Sequence, residues 1–281
     1  MSVLEKANET LAEFKKIVNT GLAQSFEAGC GYKVGVDLGT SSIVLVVLDG
    51  ENRVLFGAFE YADVIRDGLV VNYQQSVEIV SRLKKQAEDA LGFTLKKASG
   101  AIPPGTIGNN KRIVGNVIES SGMELDKIVD EPTAAACLLQ LEHGAVIDVG
   151  GGTTGISIFE NGEVILSADE ATGGTHMTLV IAGFHKIPIP EAEVRKRNPQ
   201  LDAECFSICR PVVQRMAEIT RKILEKQPSE PLFVVGGASI LSEFEQEFSK
   251  YLNQAVYKPD YPQFVTPIGI AMSSEIIDEV S

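Results

Sequence analysis

The chain of 281 residues is 44% hydrophobic and 22% charged, which is typical of a folded globular protein and excludes disorder over most of its length. Its 25 Lys and Arg residues are outnumbered by 38 Asp and Glu, so the net charge of −13 opposes binding to nucleic acid and anionic lipid. Any phosphate must therefore be held locally, by backbone N–H groups or a metal ion, and the length favours two modest lobes over a single core.

The first predicted element is an amphipathic helix within residues 1–29. Apolar residues from Leu4 to Leu22 recur at steps of three and four, and the pattern ends near Gly29. In the simpler interpretation, this apolar face packs on the body of the protein. Short amphipathic helices also dock into a partner's groove, so that alternative stays open.

A β-meander follows the helix. Val, Ile and Leu dominate its first two strands, and turn residues separate all three. Further along, Pro132 stands directly after Glu131 and opens an apolar run, which is a position that proline takes in the first turn of a helix. The sequence predicts strands at Tyr32 to Leu38, Ser42 to Asp49, Arg53 to Tyr61 and Ala98 to Ile102, and a helix at Ser76 to Leu91.

The same pattern recurs in the second half of the chain. Asp148 lies 111 residues after Asp37, and both aspartates stand near the end of an apolar strand, before a glycine turn. Such a duplication predicts an α/β fold with two similar lobes that face one another. We place lobe I at residues 30–144, lobe II at residues 145–264 and a C-terminal helix that returns to lobe I at residues 265–281. The second meander is predicted at Ala145 to Val149, Gly155 to Glu160 and Glu163 to Ser167.

The turn after each repeated aspartate has the composition of a phosphate-binding loop. Glycines let successive backbone N–H groups point at an anion, a Thr hydroxyl adds a donor, and each aspartate is suited to Mg²⁺, usually through water. One glycine-rich hairpin is a common structural device, whereas two copies with aspartate at the same place favour a phosphate site. The turns contain Asp37, Gly39, Thr40 and Ser41 in the first copy and Asp148, Gly150, Gly151, Gly152 and Thr153 in the second.

Two further glycine pairs stand before predicted helices. Gly173 and Gly174 open a helix after the second meander, and Gly236 and Gly237 separate an apolar strand from a helix predicted at Ile240 to Tyr251. The N–H groups at the start of a helix attract anions. Junctions of this kind are also common in α/β folds, so each pair alone is a weak signal.

These motifs, in this order, resemble those of the superfamily of actin, sugar kinases and DnaK-type chaperones. The two aspartate turns resemble its phosphate motifs, Phe233 to Ser239 its adenosine motif, and Asp130 to Ala136 and Thr266 to Ala271 its connecting helices. The resemblance implies two ribonuclease-H-like, actin-like ATPase lobes with a nucleotide cleft between them. Within the superfamily, the chain is similar to short DnaK-like proteins of bacterial ethanolamine utilisation, which are encoded with microcompartment components.

The resemblance also implies roles for individual residues. It implies ATP or ADP in the cleft, Mg²⁺ at Asp37 and Asp148, and Glu131 orienting an attacking water, which makes these three the catalytic candidates. Three charged residues match a helix that grips base and ribose, although an ordinary solvated helix face explains them equally well. The nucleotide contacts implied are Gly39, Thr40, Ser41, Gly150, Gly151, Gly152, Thr153, Gly173, Gly174, Glu218, Arg221, Lys222, Gly236, Gly237 and Ser239.

The chain departs from the chaperone pattern at several positions. Gly155 stands in place of an acidic residue, Ile240 in place of an arginine that packs on adenine, and Glu225 in place of a ribose-contacting serine. The catalytic lysine of the chaperones has no recognisable local match. Phosphoryl transfer depends on positioning and charge stabilisation, so this loss should lower turnover more than binding. We expect nucleotide binding with weak or no hydrolysis.

The spacing of the motifs limits the size of the outer subdomains. Only 94 residues separate Asp37 from Glu131, and we expect no peptide-binding domain after the second connecting segment. These features argue against a complete chaperone cycle. The resemblance implies instead a chaperone-like or assembly factor whose partners are proteins or enzymes of the ethanolamine-utilisation microcompartment. A scaffold with a vestigial cleft is the alternative. A small-molecule kinase is a weaker one, because no aspartate stands in a convincing motif for the catalytic base.

The sequence favours a location in the cytoplasm, where the protein would associate with a microcompartment. The longest apolar run, Ile43 to Leu48, is far shorter than the roughly 20 residues of a membrane span. The N-terminus has charges of both signs and lacks the pattern of a signal peptide. Four scattered cysteines fit a reducing compartment.

Overall fold

The protein, described here by a computed structural model, has an α/β fold with two five-stranded mixed sheets and helices packed against them. The structure describes residues 3–25, 30–62, 65–66, 69–104 and 109–278. In this part of the chain, no helix is both long and apolar enough to cross a membrane. The expectation of an α/β protein with two similar lobes is confirmed.

The sheet of lobe I has the strand order β3-β2-β1-β6-β7. Its first strand pairs antiparallel with the second and parallel with the fourth strand of the sheet. The last helix of lobe I (Asn109–Ser120) and its last strand (Glu124–Asp130) were not predicted from the sequence. The elements are β1 (Tyr32–Leu38), β2 (Ser42–Asp49), β3 (Val54–Tyr61), the small hairpin β4 (Ile65–Arg66) and β5 (Leu69–Val70), α2 (Tyr73–Leu91), β6 (Lys97–Ile102), α3 (Asn109–Ser120) and β7 (Glu124–Asp130).

The sheet of lobe II repeats this topology, with the order β10-β9-β8-β11-β12. Each sheet therefore places its third, second, first, fourth and fifth strands side by side, which confirms the duplication. The elements are β8 (Gly144–Val149), β9 (Thr154–Glu160), β10 (Glu163–Glu170), α5 (Gly174–His185), α6 (Ile189–Lys196), α7 (Asp202–Leu224), β11 (Leu232–Val235), α8 (Phe244–Leu252) and β12 (Val256–Tyr257).

Two helices, α4 (Glu131–Leu139) and α9 (Val265–Ser273), cross between the sheets. The helix α4 starts as its sequence predicts, because the Asp130 side chain accepts a hydrogen bond from the backbone N–H of Thr133 and Pro132 occupies the first turn. At the crossing, a side chain on Gly269 would collide with the backbone carbonyl of Ala134. Glycine thus permits a close approach that places both helices under the cleft.

The N-terminal helix α1 (Val3–Ile17) packs on the protein's own body. Leu11 and Phe14 are fully buried, and the Phe14 ring lies 4.9 Å from the ring of Phe264. The prediction that the helix continues to near Gly29 is wrong. Asn19 adopts a left-handed conformation (φ 59°) and exchanges two hydrogen bonds with the Phe59 backbone, which turns the chain away. Residues 26–29 lie outside the described part of the chain.

Two other helix predictions were too long. Instead of a helix at Ile240 to Tyr251, a short 3-10 turn (Gly237–Ile240) precedes α8, because Ser242 donates from its backbone N–H and its hydroxyl to Asp202. The C-terminal helix ends at Ser273, and the chain then extends to a bridge between Tyr32 and Ile277 on lobe I.

Candidate functional site

A cavity of about 210 Å³ lies between the two sheets, and residues of both lobes line it. The two aspartate turns enter it from opposite sides, because β1 and β8 are equivalent strands of the duplicated sheets and both end there. The cavity brings together the predicted residues Asp37, Gly39, Thr40, Ser41, Glu131, Asp148, Gly150, Gly151, Gly152, Thr153, Gly174, Gly236 and Gly237.

The two turns have the same internal hydrogen bond and nearly touch each other. Gly39 N–H donates to the carbonyl of Ser42 at 3.0 Å, and Gly150 N–H donates to the carbonyl of Thr153 at 2.9 Å. A Cβ atom placed on Gly151 would lie 2.5 Å from Ser41 Oγ, so glycine is required for the turns to approach this closely. The arrangement leaves narrow, polar walls of the kind that hold a phosphate.

The start of α5 supports the second turn rather than offering free donors to an anion. Gly174 N–H donates to the carbonyl of Gly150 at 2.9 Å, and Thr175 N–H donates to the carbonyl of Gly151 at 2.8 Å. Gly173 N–H donates to His176 Nδ1 at 3.3 Å. Because the protein itself uses these N–H groups, the expectation that Gly173 and Gly174 present them to an anion is not met.

Three carboxyl groups, those of Asp37, Glu131 and Asp148, face this cavity and interact electrostatically. The pKa of Asp37 is raised to about 7, mainly by burial and secondly by the negative charge of the neighbouring Asp148. Burial raises the pKa of Asp148 to about 6. The pKa of Glu131 is raised well above its usual value, mainly by burial and then by the negative charges of Asp148 and Asp37. The cluster concentrates negative charge at the base of the cavity, which is favourable for a cation.

These carboxyl groups fit Mg²⁺ bound largely through water. Among the described residues, no three His, Cys, Asp or Glu side chains are grouped closely enough to hold a metal ion by themselves. Mg²⁺ usually keeps several waters and takes one or two carboxylates together with phosphate oxygens. Asp37 and Asp148, on opposite turns, would be those carboxylates.

The third strand-end turn approaches Asp148 from β11. Gly236 has a left-handed φ of 91°, and a side chain there would collide with the Asp148 carboxylate. Ser239 is buried and donates its hydroxyl to the carbonyl of Gly236 at 2.8 Å. Gly236 and Gly237 therefore line the cavity, whereas Ser239 stabilises the turn from behind.

The charged trio of α7 lies outside the cavity lining. Arg221 forms ion pairs with Glu218 at 2.9 Å and with Glu225, and Lys222 lies 3.8 Å from Glu218. The structure does not bring Glu218, Arg221 and Lys222 together with the other candidates. Their mutual pairing on the outer side of the helix agrees with the alternative of a solvated helix face.

Helix α6 and the residue after it contribute cavity residues that were not predicted from the sequence, namely Glu193, Lys196 and Arg197. Lys196 Nζ donates to the Gly174 carbonyl at 3.0 Å, to Thr178 Oγ1 at 2.7 Å and to Glu193 Oε2 at 2.8 Å, and burial lowers the pKa of its ammonium group. Residues 195–197 are the only run of three consecutive basic residues in the sequence, and this signal could have identified them.

Thr266 on α9, another residue missed from sequence, donates its hydroxyl to Asp148 Oδ2 at 2.7 Å and lowers the pKa of that carboxyl against the effect of burial. We expect Thr266→Val to destabilise the protein by about 1.5 to 3 kcal/mol at about pH 8, where Asp148 is ionised, and by less at about pH 5. Urea unfolding at both pH values measures this.

Thr220→Val is the matched control, because the buried Thr220 hydroxyl donates to the Met216 carbonyl within α7. Its effect should be the same at both pH values. An equal loss for Thr266→Val at both values would contradict the assignment of this hydrogen bond to the ionised carboxylate.

Comparison with known proteins gives two family matches and close relatives. A model of MreB/Mbl proteins matches residues 57–198, and a model of the type IV pilus assembly protein PilM matches residues 140–257. Ethanolamine utilization protein EutJ of Salmonella typhimurium is 41% identical over 242 residues, which cover 85% of each chain.

Solved structures show the same relationship. The crystal structure of EutJ from Carboxydothermus hydrogenoformans superposes with a TM-score of 0.91 at 42% identity and covers 96% of this chain and 99% of that one. MreB5 of Spiroplasma citri bound to AMPPNP has a TM-score of 0.66 at 16% identity, with 85% of this chain and 94% of that one covered. At 16% identity, the similarity to MreB5 shows a shared fold and nothing further.

Proposed function

The chain belongs to the EutJ family of ethanolamine utilization proteins, within the superfamily of actin-like and Hsp70-like ATPases, and we propose that it binds ATP or ADP with Mg²⁺ between its lobes. The supporting observation is the convergence of both aspartate turns and Glu131 on one cavity. If each turn served only to connect the strands of its own sheet, the two turns would not need to meet across a cleft.

Each part of the cavity has a role in this proposal. The turns at Gly39 to Ser41 and Gly150 to Thr153 would hold the phosphates, and Gly236 and Gly237 would border the adenosine. Bound Mg²⁺ would neutralise phosphate charge and polarise the phosphoryl oxygens. Asp37 and Asp148 would hold the ion, while Glu131 would orient a water molecule for attack.

Hydrolysis should be weak or absent. Lys196 is the buried ammonium in the cavity, and its bonds to Gly174, Thr178 and Glu193 hold it at the start of α5. A group held in this way supports the second turn and is not free to follow a phosphoryl group in transfer. Bound nucleotide would then act mainly by changing how far the two lobes close on each other.

We further propose that lobe closure regulates a chaperone-like or assembly interaction with proteins or enzymes of the ethanolamine-utilisation microcompartment. Family membership supports this assignment. The protein would act in the cytoplasm, in association with the microcompartment. Co-purification with shell proteins and enzymes, in the presence of ADP, of ATP and of neither, would test whether the interaction depends on nucleotide.

A scaffold with a vestigial cleft is the second candidate. It is favoured by the exposed apolar side chains of α5: Leu179, Val180 and Phe184 are 46%, 38% and 67% exposed, and Val180 and Phe184 lie one helical turn apart. Under this alternative, Phe184→Asp should abolish partner binding, while nucleotide and Asp148→Asn should have no effect on it. A small-molecule kinase would instead show substrate-dependent ADP release.

Isothermal titration calorimetry with Mg²⁺–ATP and Mg²⁺–ADP tests the nucleotide proposal. We expect binding that is lost when EDTA removes the metal, because the cavity's own charge is negative. Folded protein that binds neither nucleotide at millimolar concentration would reject the proposal and leave the scaffold alternative.

A further inference from the structure

Tyr61 and Arg197 form a contact across the cleft. Tyr61 is the last residue of β3 in lobe I, whereas Arg197 follows α6 in lobe II. The guanidinium carbon of Arg197 lies 3.8 Å from the centre of the Tyr61 ring, within the range of a cation–π interaction. Both residues line the cavity and are also exposed to solvent, Tyr61 by 58% and the Arg197 side chain by 32%. The pair therefore lies at the rim of the cavity.

On the lobe II side, the contact is tied to the second turn. Arg197 forms an ion pair with Glu193, with 2.8 Å between Nη2 and Oε1. The other oxygen of Glu193 accepts from Thr178 and from Lys196, and Lys196 also donates to the Gly174 carbonyl. Since Gly174 in turn donates to Gly150, Arg197 is held in a fixed position relative to the second turn.

On the lobe I side, the contact is tied to the first turn. Tyr61 pairs with Ser42 in the sheet, and the N–H of the next residue, Ala62, donates to the Ser41 carbonyl at 3.2 Å. The Tyr61 and Phe59 rings meet edge to face with their centres 5.1 Å apart, and the centre of the Phe59 ring lies 5.8 Å from that of Phe264. The aromatic row continues to Phe14 of α1, so Tyr61 stands at the end of a packed series rather than on a free loop.

We infer that Tyr61 and Arg197 form a gate across the mouth of the cavity, which must part before a nucleotide enters or leaves. This inference rests on the proposed nucleotide site and adds control of exchange to it. The contact joins the two lobes at the rim of the cavity. It thus opposes entry as well as release, and its loss should raise both rates while changing the affinity less.

Stopped-flow kinetics with a fluorescent ADP analogue, mant-ADP, and Mg²⁺ test the gate. Tyr61→Ala removes the aromatic ring, and the loss of a cation–π contact at a solvent-exposed rim corresponds to a rise of about twofold to fivefold in the rates of association and release. Tyr61→Phe keeps the ring and should keep the wild-type rates, whereas Tyr61→Leu should behave like Tyr61→Ala. Wild-type rates in Tyr61→Ala would overturn the inference.

A measurement without nucleotide separates the gate from the proposed function. The chain contains no tryptophan, so Tyr61→Trp introduces a single fluorescent reporter that also keeps the cation–π contact. In this background, Arg197→Met should increase quenching of Trp fluorescence by acrylamide, because the guanidinium group no longer shields one face of the ring from solvent. Arg195→Met is the matched control, since Arg195 is also 32% exposed and pairs with Glu204.

The two measurements have distinct outcomes. If mant-ADP does not bind at all, the nucleotide proposal fails, and the quenching experiment still decides whether the lobes are joined at this point. Equal quenching in the Arg197→Met and Arg195→Met variants would overturn the gate, whatever the result with nucleotide.

Discussion

Asp148→Asn is expected to weaken Mg²⁺-dependent nucleotide binding and, without metal, to stabilise the protein at about pH 8. Removing one charged partner of a buried ion costs about 3 to 5 kcal/mol, which is a loss of affinity of about 100-fold or more. Without metal the same carboxylate is unfavourable, because burial raises its pKa to about 6 and it also raises the pKa values of Asp37 and Glu131. Neutralising it should add about 2 to 3 kcal/mol to the free energy of unfolding.

Calorimetry with Mg²⁺–ADP and urea unfolding in EDTA measure the two effects. Asp49→Asn is the control, because Asp49 is also buried but pairs with Arg53 and accepts two backbone N–H groups, far from the cavity. This control should lower stability and leave affinity unchanged. The assignment of Asp148 as a metal ligand would be contradicted if Asp148→Asn destabilised the metal-free protein as Asp49→Asn does. Wild-type affinity of the Asp148→Asn variant for Mg²⁺–ADP would contradict it as well.

The metal-free protein should lose stability as the pH rises from about 4 to about 8. The folded-state pKa of Asp37 is raised from the ordinary value near 4 to about 7, so between these values the folded state binds more protons than the unfolded state. Stability therefore falls with rising pH across this window, by about 4 kcal/mol from Asp37 alone. The shifts of Asp148 and Glu131 act in the same direction.

The opposite contribution of Glu193 falls outside this window. Its pKa is lowered by Lys196 and Thr178 against the effect of burial, so its stabilising effect is lost only as the pH falls below the ordinary range of glutamate. Urea unfolding in EDTA at about pH 5 and about pH 8 measures the main effect, and Asp37→Asn should flatten the dependence. A stability that is constant or increases over this range would be inconsistent with three carboxyl groups whose pKa values are raised by burial.

The sequence predicted the parts of the site that lie within each repeat. An aspartate near the end of an apolar strand, followed by a glycine turn, is a local pattern, and its duplication predicted two lobes that face one another. The sheets confirm this with the same strand order in both lobes. Asp37 and Asp148 accordingly reach the same cavity from opposite sides.

The parts that the sequence did not predict depend on contacts between distant segments. Arg197 enters the cavity because α6 is packed beside the start of α5, and no motif marks that segment apart from its three consecutive basic residues. The ends of two helices were wrong for a similar reason. Asn19 pairs with Phe59, and Ser242 pairs with Asp202, 40 residues away in each case, and these bonds override the local helical pattern.

The nucleotide's position between the two aspartate turns is tested most directly by a crystal structure of the protein grown with Mg²⁺ and ADP. We expect phosphates between the turns at Gly39 to Ser41 and Gly150 to Thr153, with the ion beside Asp37 and Asp148 and the adenosine next to Gly236 and Gly237. Nucleotide bound elsewhere, or an empty cavity at millimolar Mg²⁺–ADP, would contradict it.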